Sequence, residues 1–176
     1  MRTLPNIIIT GTPGVGKSSL CEMLVEQTGL KHCAINDIVK QRGCHEGWDD
    51  EHHSWIVDED RLLDAIEEEV KEGGHLIDWH ACDLFPRRWI DLVVVLRTDS
   101  TTLFDRLTSR GYSAKKLEEN LDSEIMQVLL EEARESYDEE IVVELRSDTV
   151  EDIESNAERV QQWIQQWRQD HKPADP

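Results

Sequence analysis

The chain has 176 residues and a net charge of −19, with 19 basic against 38 acidic side chains. That length is enough to bury one core, and so acidic a surface repels phosphate backbones and argues against direct nucleic-acid binding. The first structured stretch starts almost at once, the longest apolar run (Leu92–Leu96) is too short for a bilayer, and the four cysteines form no C-x-x-C pair. The expectation is a soluble, intracellular, thiol-reduced and monomeric domain spanning residues 1–176.

Asn6–Thr10 is an apolar, β-branched run suited to a buried strand. It leads into Gly11-Thr12-Pro13-Gly14-Val15-Gly16-Lys17-Ser18, which fits G-x-x-x-x-G-K-[ST]. Leu20, Leu24 and Thr28 then recur at helical spacing as far as Gly29, a C-cap. A glycine-rich loop between a strand and a helix turns backbone N–H groups around phosphate oxygens, at a helix N-terminus that already favours anions. In this setting Lys17 reaches the β- and γ-phosphates and the Ser18 hydroxyl holds Mg²⁺. The motif indicates a bound nucleoside triphosphate and leaves its fate open.

Lys31–Ile35 reads as a second strand, with Asn36 and Asp37 as caps of a short helix through Arg42. Gly43–Trp55 is polar and reads as a loop. Asp58-Glu59-Asp60 places negative charge in the first turn of a helix that carries Leu62, Leu63, Ile66 and Val70 on one face and stops at Gly73-Gly74. His75–Trp79 and Leu92–Leu96 are strands, the latter apolar without alternation, as for a strand covered on both faces. A helix over Ser100–Ser109 with Leu103, Phe104 and Leu107 inward is broken by Gly111. One long helix then covers Ser113–Ser136, and Ile141–Leu145 is a fifth strand. Thr149 and Asp152 form a capping box for a last helix with Ile153, Ala157, Val160, Ile164 and Trp167 along one face. His171–Pro176 reads as a frayed tail. Strands alternating with helices predict an α/β fold with an open, mostly parallel five-stranded sheet and helices on both faces.

Charge is uneven. Residues 45–72 carry twelve acids and two bases, whereas Arg97, Arg106, Arg110, Lys115 and Lys116 cluster against only Asp99 and Asp105. A cationic segment in so acidic a chain points to a bound anion. Asp78 follows Leu76-Ile77 at the C-terminal end of its strand, where ligands collect in open α/β sheets. A carboxylate there suits the Mg²⁺ that bridges phosphate oxygens. His80, two residues on, could orient a water or the attacking oxygen. Arg106 and Arg110 lie four apart, with guanidinium forks suited to a migrating phosphoryl charge, and Gly111 beside Arg110 offers a lid hinge. Cys33, Cys44, His45, His52, His53 and Cys82 include no paired cysteines of the zinc type. Trp48, Trp55, Trp79 and Trp89 read as core and loop anchors.

Pro5–Ser18 with Asp78-Trp79-His80, Leu96-Arg97-Thr98-Asp99 and Arg110-Gly111-Tyr112 resembles the adenylate kinase isoenzyme 6 family, also called the coilin-interacting nuclear ATPase, over almost the whole chain. The Asp-x-His step is its most specific mark. The resemblance implies a small nucleoside monophosphate kinase-like fold with a very short lid, here about 109–119, and a monophosphate-binding region at about 33–57. It implies adenylate kinase and ATPase activity on ATP and AMP. It also implies assistance to small ribosomal subunit maturation in the nucleus and cytoplasm, hence a small-subunit ribosomal protein as partner. On this basis Gly14, Gly16, Lys17, Ser18 and Ser19 bind ATP, Arg110 clamps it, Asp78 is the metal-side acid and His80 serves hydrolysis. The chain departs from the family pattern with Lys40 in place of an arginine, Asn36-Asp37 in place of Gly-Asp, Trp79 in place of a tyrosine, and no basic residue at Ser147–Thr149. Lys40 can still meet a phosphate as a point charge but lacks the bidentate fork. Phosphoryl transfer to AMP, a nucleotide-gated assembly ATPase, and a kinase for another small metabolite are the three functions compatible with this reading.

Overall fold

The computed structural model describes residues 1–173. Five parallel strands run in the order β2 (Lys31–Ala34), β5 (His75–Asp78), β1 (Ile7–Thr10), β6 (Leu92–Arg97), β7 (Val142–Arg146). The central strand β1 is buried on both faces, so successive side chains feed two cores. Ile8, Ile77, Val93 and Val95 face one way, onto α2 (Ile35–Gln41), α3 (Glu59–Glu72) and α6 (Val128–Ser136). Ile7, Ile9, Leu76, Val94 and Leu96 face the other, onto α1 (Lys17–Thr28), α4 (Ser100–Ser109) and α7 (Val150–Asp170). Each fully buried Ile or Leu contributes about 1.5–3 kcal/mol of transfer free energy. This double layer therefore holds the sheet edge that carries the site.

Local chemistry explains several boundaries. Gly29 ends α1 in the left-handed region at φ 73°, its N–H on the Val25 carbonyl. Asp58 caps α3 by accepting from the Arg61 N–H, and Thr149 with Asp152 closes a capping box at the start of α7. Of the expected tail His171–Pro176, residues 174–176 lie outside the described residues, while His171 stacks on Trp167 at 3.9 Å. Among the described residues no helix is long and apolar enough to cross a membrane.

Four expectations are corrected. Gly43–Trp55 is not a plain loop: β3 (His45–Asp49) and β4 (Ser54–Val57) pair antiparallel, with Trp48 opposite Trp55 and an irregularity at His45/Gly47. Its alternation of half-buried and exposed positions was masked because the inward positions are filled by His and Gly rather than by aliphatic residues. Helix α2 begins at Ile35, so Asn36 and Asp37 sit in its first turn, and Ala34 takes the cap position without a side-chain bond. The long helix divides into α5 (Ala114–Ile125) and α6, with Gln127 at φ 58° between them. Arg97 causes the break: its Nη2 donates to the Glu124 carbonyl at 2.8 Å, the acceptor that a continuing helix would give to the Val128 N–H. Phe104, expected inward, is 46% exposed, because Leu103 and Leu107 fill that face of α4.

Candidate active site

The loop after β1 turns at the C-terminal edge of the sheet, beside the end of β5. Gly14 (φ 93°) and Gly16 (φ 96°) occupy backbone conformations that L side chains rarely adopt, and a Cβ on Gly14 would come within 2.9 Å of Leu107 Cδ2. Gly16 is the N-cap of α1 and has no side-chain cap, which leaves the helix N–H groups turned toward the loop. Lys17 Nζ donates to the carbonyls of Gly11 (2.7 Å) and Thr12 (3.2 Å). Burial pushes its ammonium down to about 8, against the opposing pull of Asp78, with Arg110 adding to the fall.

Asp78 ends β5 in register with Ile9 of β1 and Ala34 of β2, and its carboxylate is buried. Ser18 Oγ donates to Asp78 Oδ2 at 3.0 Å, so the loop and the strand end meet at one oxygen. That pairing of a hydroxyl and a carboxylate is a hard-oxygen donor set, which fits Mg²⁺. His32 on β2 also reaches the same oxygen through Nε2 at 2.8 Å, and this hydrogen bond raises its imidazole above the ordinary value. Sequence reasoning missed His32; its signal lies only in the pairing of β2 with β5, which sets His32 two residues from Ala34, the position opposite Asp78.

These groups open into a cleft of about 840 Å³. One wall is the loop with Gly14, Gly16, Lys17, Ser18 and Ser19; the floor is Asp78, Trp79 and His80. The opposite wall is Asn36, Asp37, Lys40, Trp48 and Trp55 from α2 and the hairpin, and Arg110, Tyr112 and Lys116 border the mouth. Trp79 is fixed by its indole N–H on Asn36 Oδ1 at 3.1 Å and is buried, as is Trp89, whereas Trp48 is exposed in the cleft wall. Burial of the His80 ring against the floor, then the Lys17 and Lys116 ammonium groups, push its imidazole down to about 4. Its outer edge is open to solvent, and partial relief there still leaves a neutral ring at pH 7.

The two arginines of α4 part company. Arg110 caps the helix, lies next to Gly111 (φ 76°) and borders the cleft. Arg106 is spent on the protein itself, donating to the carbonyls of Gly14 (3.1 Å), Ser147 (3.0 Å) and Asp148 (2.8 Å), and it does not line the cleft. It braces the phosphate loop against the turn before α7. Arg97 is likewise withdrawn from the expected anion-binding segment, paired inside the fold with Glu124 and, at 3.6 Å, with Glu144. Lys115 reaches Glu51 at the hairpin tip at 2.5 Å, a tie between the mouth of the cleft and its far wall. Lys116 stands 4.6 Å over the Tyr112 ring.

Comparison with known proteins gives consistent relatives. A family model described as an AAA domain matches residues 7–127. The adenylate kinase isoenzyme 6 homolog of Schizosaccharomyces pombe is 52% identical over 97% of this chain and 97% of its own. The homologs of the same name in Dictyostelium discoideum and Caenorhabditis elegans are 51% and 45% identical, over 94% and 97% of this chain and 95% and 94% of theirs. Among solved structures, a shikimate kinase from Acinetobacter baumannii in complex with shikimate superposes with a TM-score of 0.67 at 17% identity, covering 94% of this chain and 95% of that one. At that identity the likeness is one of fold.

Proposed function

The chain belongs to the adenylate kinase isoenzyme 6 family of P-loop nucleotide kinases, and on that premise we propose that it transfers the γ-phosphoryl group of ATP to AMP or a related nucleoside monophosphate, with Mg²⁺. The observation that carries the reading is the two-walled cleft. Its volume lies toward the upper end for ligand pockets, and its walls pair a phosphate loop with a second surface bearing Lys40, Trp48 and Trp55. A cleft for hydrolysis alone has no need of that second surface.

In this reading the loop N–H groups and Lys17 hold the β- and γ-phosphates. Ser18 and Asp78 hold Mg²⁺, which when bound neutralises developing charge on the phosphate oxygens. Arg110 approaches the migrating group from the mouth, at the edge of a lid over about 109–119 that turns at Gly111. Lys40 meets the acceptor phosphate as a point charge, within an acceptor region at about 33–57. Arg106 acts through the loop rather than on substrate, because its guanidinium is already filled by three carbonyls. With ATP and AMP together, ADP is expected to form on the order of 10²-fold faster than with ATP alone, because the bound acceptor excludes and outcompetes water. Equal rates would sink the kinase reading.

A second activity is favoured by one observation: His80 stands neutral on the cleft floor two residues from Asp78, where it can accept a hydrogen bond from an attacking water. ATP hydrolysis with His80 orienting the water is therefore the companion reaction. His80→Ala is expected to slow hydrolysis by about 10²-fold and to change AMP phosphorylation only several-fold; equal losses would remove its special role. Because burial and the neighbouring ammonium groups hold its imidazole below the ordinary histidine value, the hydrolytic rate is expected to be flat between pH 7 and 8 and to fall as the ring protonates in acid. If hydrolysis is the cellular activity, the acidic surface suits docking to a basic small-subunit ribosomal protein, in the nucleus and cytoplasm, with nucleotide state controlling release.

A further inference from the structure

Beside Asp78, the buried end of the site holds two donors that phosphoryl transfer does not use, Cys21 and His32. Cys21 Sγ, a ring nitrogen of His32 and a carboxylate oxygen of Asp78 all lie within 4.8 Å of one another. They come from three elements, α1, β2 and β5, and converge because β2 pairs with β5 while α1 packs against both. Cys21 is wholly buried in α1, and His32 is half-buried. Mg²⁺ takes hard oxygen ligands and has no use for a thiol or an imidazole. Thiolate, imidazole and carboxylate together are the ligands of a borderline divalent ion such as zinc.

We infer that Cys21, His32 and Asp78 form an inhibitory site for a zinc-class divalent ion at the base of the nucleotide cleft. Bonds of about 2.0–2.3 Å in a tetrahedral site set ligand atoms roughly 3.3–3.8 Å apart, so the 2.8 Å His32–Asp78 pair opens and Cys21 Sγ moves in, shifts of about 1 Å. The ion enters past Ser18 and Asp78, which line the cleft. Ser18 Oγ, already 3.0 Å from Asp78 Oδ2, or a water completes four ligands. As the metal bonds form, the Cys21 proton and the proton held between His32 and Asp78 both pass to solvent. An ion so placed takes the carboxylate that Mg²⁺ would share. That consequence for phosphoryl transfer rests on the function proposed above; the binding itself does not.

The experiment is a titration of the metal-stripped full chain with Co²⁺ under reducing conditions, read by absorption. One equivalent is expected to produce a thiolate-to-cobalt charge-transfer band that Zn²⁺ then removes. Cys21→Ala abolishes the band and Cys33→Ala keeps it. His32→Phe, with its fold checked by circular dichroism, weakens Co²⁺ binding by about tenfold or more. No band in the parent chain, or a band that survives Cys21→Ala, overturns the site. In the ATP-plus-AMP assay, Zn²⁺ at saturating Mg²⁺ inhibits the parent at least about tenfold more strongly than Cys21→Ala, each relative to its own zinc-free rate. Equal inhibition refutes the competition with Mg²⁺ while the spectrum still decides the site. A chain that transfers no phosphoryl group would refute the proposed function and leave the cobalt result to stand or fall alone.

Discussion

Lys17→Ala is expected to lower phosphoryl transfer by about 10³-fold or more, in single turnover at saturating ATP and Mg²⁺. Removing one preorganised donor from a transition-state oxyanion typically costs about 10²–10³-fold. Lys17 adds a full charge in a half-buried setting to that donor role. Its ammonium donates to the Gly11 and Thr12 carbonyls, which holds it along the loop. Lys17→Arg should not rescue, because a planar fork cannot replace a compact ammonium between those two carbonyls. Stability is expected to hold or rise in Lys17→Ala, since a cation that burial disfavours has been removed. Folding and catalysis are thereby separated by one melting curve. The same group sets a pH signature. Burial holds it at about 8, and bound phosphates would raise it, so binding takes up a proton above that pH. ATP affinity should be flat below pH 8 and weaken as pH rises beyond it. Full activity in Lys17→Ala would refute the assignment of the loop.

Glu124→Gln is expected to cost about 3–5 kcal/mol, the usual penalty for stripping the partner from a buried ion pair. The side chains of Arg97 and Glu124 are 10% and 3% exposed, and the carboxylate accepts from Arg97 Nε while the Glu124 carbonyl accepts from Nη2. Glu144, 3.6 Å away and 38% exposed, keeps some compensation and favours the lower end of that range. For a domain of this size each kcal/mol moves the melting temperature by about 2–4 °C, so a fall of roughly 10 °C is the expected reading. Arg97→Met combined with Glu124→Leu should recover most of the loss, since a well-packed apolar pair can replace a buried ionic one. A fall below about 1 kcal/mol would show that Glu144 takes over the pairing. The consequence reaches the site through α5, whose end Glu124 anchors and whose start carries Lys115 and Lys116.

What the sequence determined by itself is what neighbouring residues decide among themselves. The phosphate loop, the Gly29 stop, the Asp58 cap and the Thr149–Asp152 capping box depend on contacts within a few positions, and they are legible as patterns. So are the apolar runs of β1 and β6, because a strand covered on both faces leaves no polar alternation. Asp78 and His80 are legible from their place at the C-terminal end of a strand, and the family resemblance implies a role for each. The hairpin of β3 and β4 stayed hidden because the inward positions of β3 are His45, Gly47 and Asp49 rather than aliphatic residues, and its pairing is read only across the turn. The break between α5 and α6 is made by Arg97, from another strand, taking the Glu124 carbonyl. Tertiary structure alone separates Arg106 from Arg110: four positions apart, one is consumed by backbone carbonyls and the other borders the cleft. It also brings Cys21 and His32 to Asp78. No spacing rule could have joined those three, because strand order, not distance along the chain, decides which side chains share one end of a parallel sheet.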